Sequence, residues 1–172
     1  MNAKLIKKIL LAGLALLGVM ASGAFAQTAQ TSFQVSATVN KNCNVTANNL
    51  TFATPYDGSS GTPNDSTTTI GVRCTKNTPY TVALNAGTVT GTSFAARKMA
   101  NATPDYMDYN LYTDGTYLTV WGDGTVSTAT VAGTGAGMGT LQNLTVYGRI
   151  PISQNLEPGT YTEPTITVTV TY

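Results

Sequence analysis

The sequence lacks histidine altogether, and only 10% of its 172 residues are charged. Without histidine the chain cannot build Ser-His-Asp or Cys-His nucleophile systems, or most zinc sites. Beyond the first eight residues its basic side chains are scattered, except for the adjacent pair Arg97 and Lys98. Because neutralising phosphates requires clustered lysine and arginine, nucleic acid is not an expected partner. We therefore expect a protein that is not an enzyme, and we assign no catalytic residue, cofactor or metal ligand.

The first 26 residues have the pattern of a secretory signal peptide. Three lysines within the first eight residues precede an apolar run at 9–20, and Ala24-Phe25-Ala26 has the small-x-small pattern of a cleavage site. The apolar run is shorter than a spanning helix needs, which disfavours the alternative of an uncleaved membrane anchor. The mature chain is expected to begin at Gln27, with six basic and eight acidic residues and a net charge of −2.

Only two cysteines are present, Cys43 and Cys74. In an exported chain the expected state of such a pair is a disulfide. It would close a loop of about 32 residues and stabilise the fold by roughly 3 to 4 kcal/mol, if it acts by restricting the unfolded chain. The alternative, a redox-active pair, lacks the C-x-x-C spacing.

Strand signals recur along the mature chain, whereas almost no segment has a helical period. Apolar and polar residues alternate within 32–39, 67–74, 80–87, 109–121, 144–152 and 165–172. The Asp114-Gly115 pair between two runs rich in tyrosine and leucine predicts a hairpin. Many short antiparallel strands separated by turns favour an all-β fold, an antiparallel β-sandwich of Ig-like type.

Three other features have weaker functional interpretations. The glycine-rich stretch 132–140 lacks both the G-x-G-x-x-G spacing and the following helix of a phosphate site, so we interpret it as a loop. Asp57, Asp65 and Asp105 could hold a loop calcium ion, although carboxylates of this kind commonly cap turns. Six aromatic residues could form a sugar-stacking platform: Tyr106, Tyr109, Tyr112, Tyr117, Trp121 and Tyr147. Core filling and cross-strand pairing is the favoured interpretation of these aromatics, and a secreted monomeric glycan-binding module is the alternative.

The last segment, 165–172, alternates most strictly and contains neither charge nor proline. An exposed strand edge of this composition invites pairing with another chain. Since the sequence ends at Tyr172, we expect either an earlier segment or a second molecule to cover this edge. The mature N-terminal segment 27–40 is uncharged and alternating, so it could be donated to another copy by β-strand addition. The pattern equally allows 33–39 to be the first strand of the protein's own sheet.

A series of segments spans most of the mature chain. They are "SFQVSATVNKNCNV", "LTFATPYD", "VRCTKNTPYTVALNAG", "RKM" at 97–99, "YNLYTD", "VWGDGT", "LTVYGRIP" and "PGTYTEPTITVTVTY". In this order, with the cysteine pair and the aromatic end of the last strand, they resemble the spore coat protein U domain family, which includes subunits of archaic chaperone–usher pili. The resemblance covers about residues 32–172. One departure is "FAT" at 52–54, where Phe-Gly is expected, and it puts a local turn in doubt.

The resemblance implies an incomplete Ig-like sandwich that lacks its final strand and is completed by donor-strand exchange. It implies a signal peptide at 1–26, a donor strand segment at 27–40 and a pilin domain at 41–172. The expected function is that of a structural subunit of a secreted chaperone–usher pilus or surface coat, acting in adhesion and biofilm formation. The expected partners are identical or related subunits, a periplasmic chaperone and an outer-membrane usher. The expected location is the cell surface, reached through the periplasm.

The resemblance also implies residue roles. The donor side chains would be Phe33, Val35, Ala37 and Val39. The acceptor groove would be lined by Ile166, Val168, Val170 and Tyr172, with Leu144, Val146 and Ile150 as another wall. Cys43 and Cys74 would lock the first strand to the second.

Overall fold

The computed structural model describes residues 26–52, 55–103 and 105–172, so the signal peptide predicted at 1–26 lies outside the described residues except for Ala26. The chain divides into two units, Met1–Ala37 and Thr38–Tyr172. Residues 26–37 form no strand or helix and are exposed to solvent. Within the described ranges, no helix is long and apolar enough to cross a membrane.

Eight strands build the second unit, and no helix occurs among its described residues. In chain order they are β1 (Cys43–Ala47), β2 (Asn64–Cys74), β3 (Pro79–Leu84), β4 (Arg97–Ala100), β5 (Tyr106–Tyr112), β6 (Val131–Thr134), β7 (Gln142–Ile150) and β8 (Val168–Thr171). A large sheet has the order β1-β2-β7-β5-β4, and a small sheet has the order β6-β3-β8. Every pair of neighbouring strands is antiparallel, which confirms the predicted all-β antiparallel fold.

The core lies on the inward faces of the two sheets, where period-two alternation places the apolar side chains. Its fully buried members are Ile70, Val72, Cys74, Tyr80, Val82, Leu84, Met107, Tyr109, Leu111, Trp121, Val146 and Ile150. Trp121 has no exposed surface, and its indole N–H donates to the carbonyl of Val82 at 3.0 Å. Burying this apolar surface is the main term that stabilises the fold.

The structure departs from the predicted elements in four places. The glycine-rich stretch 132–140 is not a loop throughout, because its first residues belong to β6, which pairs with β3. Residues 33–39 are in no strand, and the first strand begins at Cys43. The last strand starts at Val168 rather than 165, because Pro164 lacks an N–H and the chain changes sheets there. The turn at Asp114-Gly115 exists, but the returning chain makes only an isolated bridge to Tyr112 instead of a second strand.

Candidate acceptor groove

The edge strand β1 has an inward face that is incompletely covered. Directly opposed residues of an antiparallel pair share one face of the sheet. Val45 is opposite Val72, so both side chains point toward the core. Val72 is 0% exposed, whereas Val45 is 39% exposed. The core is therefore open beside β1.

The edge strand β8 is open in the same way. Val168 is opposite Leu84 and Val170 is opposite Val82, which gives both valines an inward direction. Both remain half-buried although Leu84 and Val82 are buried. Some Cα atoms of β1 and β8 lie within 8 Å of one another, so these two edge strands are neighbours.

A cavity of about 1510 Å³ begins at the ends of these strands, with Ala47 of β1 and Val168 of β8 in its lining, and does not extend to Val45. Its apolar lining includes Leu50, Phe52, Ile70, Leu84, Met99, Met107, Tyr109, Leu111, Val146, Ile150, Leu156, Ile166 and Val168. We call this cavity the acceptor groove. Of the residues that the sequence assigned to it, the structure brings Ile166, Val168, Val146 and Ile150 together.

The other three residues assigned to the groove lie elsewhere. Val170 is inward-facing on β8 but does not line the cavity, Tyr172 is half exposed after the end of β8, and Leu144 is half-buried on β7. The sequence reasoning missed Leu50 and Phe52 as lining residues. They lie in "LTFATPYD", a segment of the family resemblance whose pattern by itself predicts no role.

Leu50 and Phe52 form one wall because Gly148 makes room for them. A Cβ at Gly148 would lie 2.4 Å from Leu50 Cδ2 and 3.2 Å from Phe52 Cζ. Hydrogen bonds fasten the wall to β2: the Ser66 hydroxyl donates to the Thr51 carbonyl at 2.6 Å, and Asn48 N–H donates to the Thr69 carbonyl at 3.1 Å. The Thr68 hydroxyl shares its proton between the carbonyls of Asn48 at 3.0 Å and Asn49 at 3.1 Å. These residues thus follow the large sheet without adding a regular strand to it.

The free edge of β8 presents unpaired backbone groups. Asn85 N–H donates to the Thr167 carbonyl at 3.1 Å. Because alternate residues of an antiparallel strand direct their N–H and C=O groups to the same side, Thr167, Thr169 and Thr171 direct theirs toward β3. The N–H and C=O of Val168 and Val170 therefore point away from β3. Within residues 26–52, 55–103 and 105–172, β8 pairs with β3 alone. The edge can accept one more strand.

The predicted disulfide is present between Cys43 and Cys74, and it joins β1 to β2 at paired positions. Just before it, Thr75 N–H donates to the Asn42 carbonyl at 2.9 Å, and the Thr75 hydroxyl donates to the Asn40 carbonyl at 3.3 Å. This anchor lies next to the segment that contains Phe33, Val35, Ala37 and Val39, all of which are exposed.

A model of the Spore Coat Protein U domain family matches residues 29–171. The chain belongs to this family. It is 33% identical over 114 residues to Protein U of Myxococcus xanthus, which covers 62% of this chain and 59% of Protein U.

A solved structure similar to this family member is that of the CsuC–CsuE pre-assembly complex of a chaperone and a tip adhesion subunit from the archaic chaperone–usher Csu pili of Acinetobacter baumannii. The TM-score is 0.55 and the identity 28%, over 78% of this chain and 41% of the matched chain. The likeness confirms the Ig-like sandwich. The chain spans about 60% and 40% of the lengths of these two proteins.

Of the six aromatic residues considered for sugar stacking in this spore coat protein U domain, Tyr106 is 38% exposed and the other five divide into two groups. Tyr109 and Trp121 are in the core, as the favoured interpretation predicts. Tyr112, Tyr117 and Tyr147 pack edge to face at the surface, and the Arg149 guanidinium lies 3.6 Å from the Tyr117 ring centroid. One face of Tyr117 is therefore occupied by the protein itself, which leaves less ring surface for stacking a sugar.

The carboxylates considered for calcium are held by their own chain. Hydrogen bonds from Ser59 lower the pKa of Asp57, and the hydrogen bond from Tyr161 lowers the pKa of Asp105. Asp65 accepts two hydrogen bonds from Arg149, each at 2.7 Å, which lower its pKa. Among the described residues, no group of three or more Asp, Glu, Cys or His could hold a metal ion.

Proposed function

We propose that this protein is a structural subunit of a secreted chaperone–usher pilus or surface coat and that it polymerises by donor-strand complementation. A strand from residues 27–40 of one copy occupies the acceptor groove of the next. The observation that carries this proposal is the large, mainly apolar cavity that reaches Val168 of β8, together with the incompletely covered inward faces of the edge strands β1 and β8. Strand addition of this kind is an established mode of pilin recognition.

The donor segment has the chemistry that the groove requires. Phe33, Val35 and Val39 alternate along the chain and are 87%, 82% and 79% exposed. Fully burying each of them would contribute about 1.5–3 kcal/mol. The sum is comparable to the whole stability of an ordinary domain, about 5–15 kcal/mol. A subunit with an empty groove is therefore expected to need a partner strand.

The groove also supplies the backbone bonds of a strand pair. The free N–H and C=O groups of Val168 and Val170 can pair with the incoming strand while its apolar side chains enter the cavity. Because one subunit gives a strand and accepts another at a different surface, the contact is heterologous and grows open filaments.

The family and the pilus relative support the biological setting. In this proposal a periplasmic chaperone covers the groove before assembly, an outer-membrane usher exports the subunits, and identical or related subunits follow one another at the cell surface. The protein then acts structurally, in adhesion and biofilm formation, rather than as an enzyme.

The test is a charge placed on the inward face of the donor segment. Val35→Asp should abolish polymers, because burying an unpaired carboxylate costs several kcal/mol. The matched control is Ser36→Asp, the same charge one residue further on and therefore on the opposite face. Purified mature protein is run on a denaturing gel without boiling, beside a boiled sample.

Wild type and Ser36→Asp should give a ladder that collapses on boiling, and Val35→Asp should give monomer. A normal ladder from Val35→Asp would show that this segment is not the donor. A single monomer band from soluble, stable wild type would contradict polymerisation and favour the glycan-binding alternative.

A further inference from the structure

One wall of the acceptor groove is a segment that belongs to no strand. At one end, Thr162 pairs with Ala100 at the edge of the large sheet, through hydrogen bonds of 2.9 and 3.0 Å. At the other end, Thr167 pairs with Asn85 beyond the end of β3. Residues 162–167, which we call the crossover segment, therefore pass from one sheet to the other and line the groove on the way.

The crossover segment has no ladder of its own, so side-chain contacts must set its position. Glu163 makes four of them. One carboxylate oxygen, Oε2, accepts from the N–H groups of Thr88 at 2.9 Å and Val89 at 3.0 Å. The other, Oε1, accepts from the Thr88 hydroxyl at 2.6 Å and from Thr165 N–H at 3.0 Å.

The loop that receives Glu163 is shaped for a carboxylate. Gly87 has φ +102°, a backbone conformation that favours glycine, and a Cβ there would lie 2.6 Å from Glu163 Oε2. This turn directs two consecutive N–H groups at one oxygen, the arrangement of an anion-binding nest. Three of the four donors are backbone N–H groups, so a neutral amide in place of the carboxylate would lose charge assistance and turn its NH₂ toward a donor.

We propose that Glu163 is a positioning residue of the acceptor groove, which holds the crossover segment so that its Ile166, and Val168 at the start of β8, face the incoming strand. The inference rests on the proposed function, because it assigns the groove a strand to hold. Loss of the carboxylate should leave both sheets folded but widen or shift one wall of the groove. The donor strand would then be released faster.

The charge state of Glu163 provides an independent readout. Burial raises its pKa, but the hydrogen bonds from Thr88, Thr165 and Val89 lower it by more, so the pKa lies below its ordinary value of 4.5. A lowered folded-state pKa means that the stabilisation is present above pH 4.5 and is lost as the pH falls through the folded-state pKa. On β5, Tyr109 interacts electrostatically with Glu163 and has a raised pKa, chiefly from burial. Tyr109 also interacts with Arg97 on β4, and burial lowers the pKa of Arg97 to about 10. Neither of them titrates in acid, and the loop 85–92 contributes no ionisable side chain.

The test compares Glu163→Gln with Asp123→Asn. Asp123 caps an exposed turn outside the groove by accepting from Thr125 N–H at 2.9 Å and from its hydroxyl at 2.6 Å, and its pKa is also lowered. Purified polymers of each variant are held at a fixed temperature at pH 7 and at a series of pH values below 4.5, and strand release is followed as loss of the ladder on unboiled gels. Unfolding in urea is followed in parallel by the fluorescence of Trp121, the one tryptophan of the chain.

At pH 7, Glu163→Gln should release strands about tenfold faster than wild type, which corresponds to the loss of about one charge-assisted hydrogen bond. Wild type should approach the variant as the pH falls through the folded-state pKa of Glu163, and Asp123→Asn should match wild type at every pH. Equal release by wild type and Glu163→Gln at pH 7 would overturn the inference and leave the pilus proposal standing. A shift in the urea midpoint that accounts for the whole change would also overturn it. No ladder from wild type would refute both.

Discussion

The buried Arg97 gives the most demanding test of how the two sheets are joined. Its guanidinium is 0% exposed and makes four hydrogen bonds to uncharged acceptors. Nε and Nη2 donate to the Asn85 carbonyl at 3.1 and 2.8 Å, Nη2 also donates to the Trp121 carbonyl at 2.7 Å, and Nη1 donates to Asn110 Oδ1 at 2.6 Å. Arg97 therefore connects the edge of the large sheet to the end of β3 and to the core tryptophan.

The expected loss of unfolding free energy can be worked out from the hydrogen bonds that a substitution of Arg97 would remove. Arg97→Met keeps much of the volume but removes the donors of two main-chain carbonyls, on Asn85 and Trp121, at about 1–3 kcal/mol each. Asn110 Oδ1 keeps a donor, Leu111 N–H at 3.0 Å. Burial lowers the pKa of Arg97 to about 10, which shows that burying its charge is costly. Removing the charge therefore offsets part of the stability lost at the two carbonyls. We expect the free energy of unfolding to fall by about 3 kcal/mol.

The assay is urea unfolding followed by Trp121 fluorescence, since this indole is fully buried in the folded chain. The matched control is Arg73→Met on β2, whose side chain is exposed and should tolerate the change within about 0.5 kcal/mol. If Arg97→Met unfolded at the same urea concentration as Arg73→Met, the network would contribute no net stability. The argument that unsatisfied carbonyls outweigh the relieved charge would then be wrong.

Two further predictions concern the frame of the groove. Reducing the Cys43–Cys74 disulfide, which spans a sequence separation of 31, should lower the free energy of unfolding by about 3–4 kcal/mol, because the unfolded chain is no longer restricted by the loop. Urea midpoints with and without reductant measure this change. Unchanged midpoints would contradict the loop-entropy argument. Gly148→Ala should destabilise the fold by about 1–3 kcal/mol and weaken the polymer ladder, because its Cβ would displace Leu50 and Phe52 from the groove wall. Gly139→Ala, with nothing within 4 Å of its Cβ, is the control and should be near neutral.

The alternation of apolar and polar residues predicted the main strands well, because the direction of a side chain in a strand is set locally. The alternation in 67–74 and 144–152 placed β2 and β7 and chose their buried faces, since side-chain direction in a strand depends only on the parity of the residue. The disulfide followed from the export signal and the cysteine count. The same pattern could not show that 33–39 lies outside the sheets, because an alternating segment looks the same whether it has a partner or not.

The groove is formed by contacts between residues that are far apart in the sequence, and the alternation of apolar and polar residues does not predict such contacts. Leu50 and Phe52 reach Gly148 across almost 100 residues, and Glu163 reaches the turn at Gly87 across about 75. In the sequence Arg97 is one of a basic pair and begins the segment "RKM", and neither feature predicts that its guanidinium is buried.

The sequence by itself thus determined an all-β chain with a known family pattern, one disulfide, no histidine chemistry and the apolar face of its main strands. Only the tertiary structure decided which strands lie at the edges, where the core stays open and which side chains line the opening. The physical reason is that a strand's face is set by its own residues, whereas a groove exists only between elements that are distant in the chain and are brought together by the sheet order.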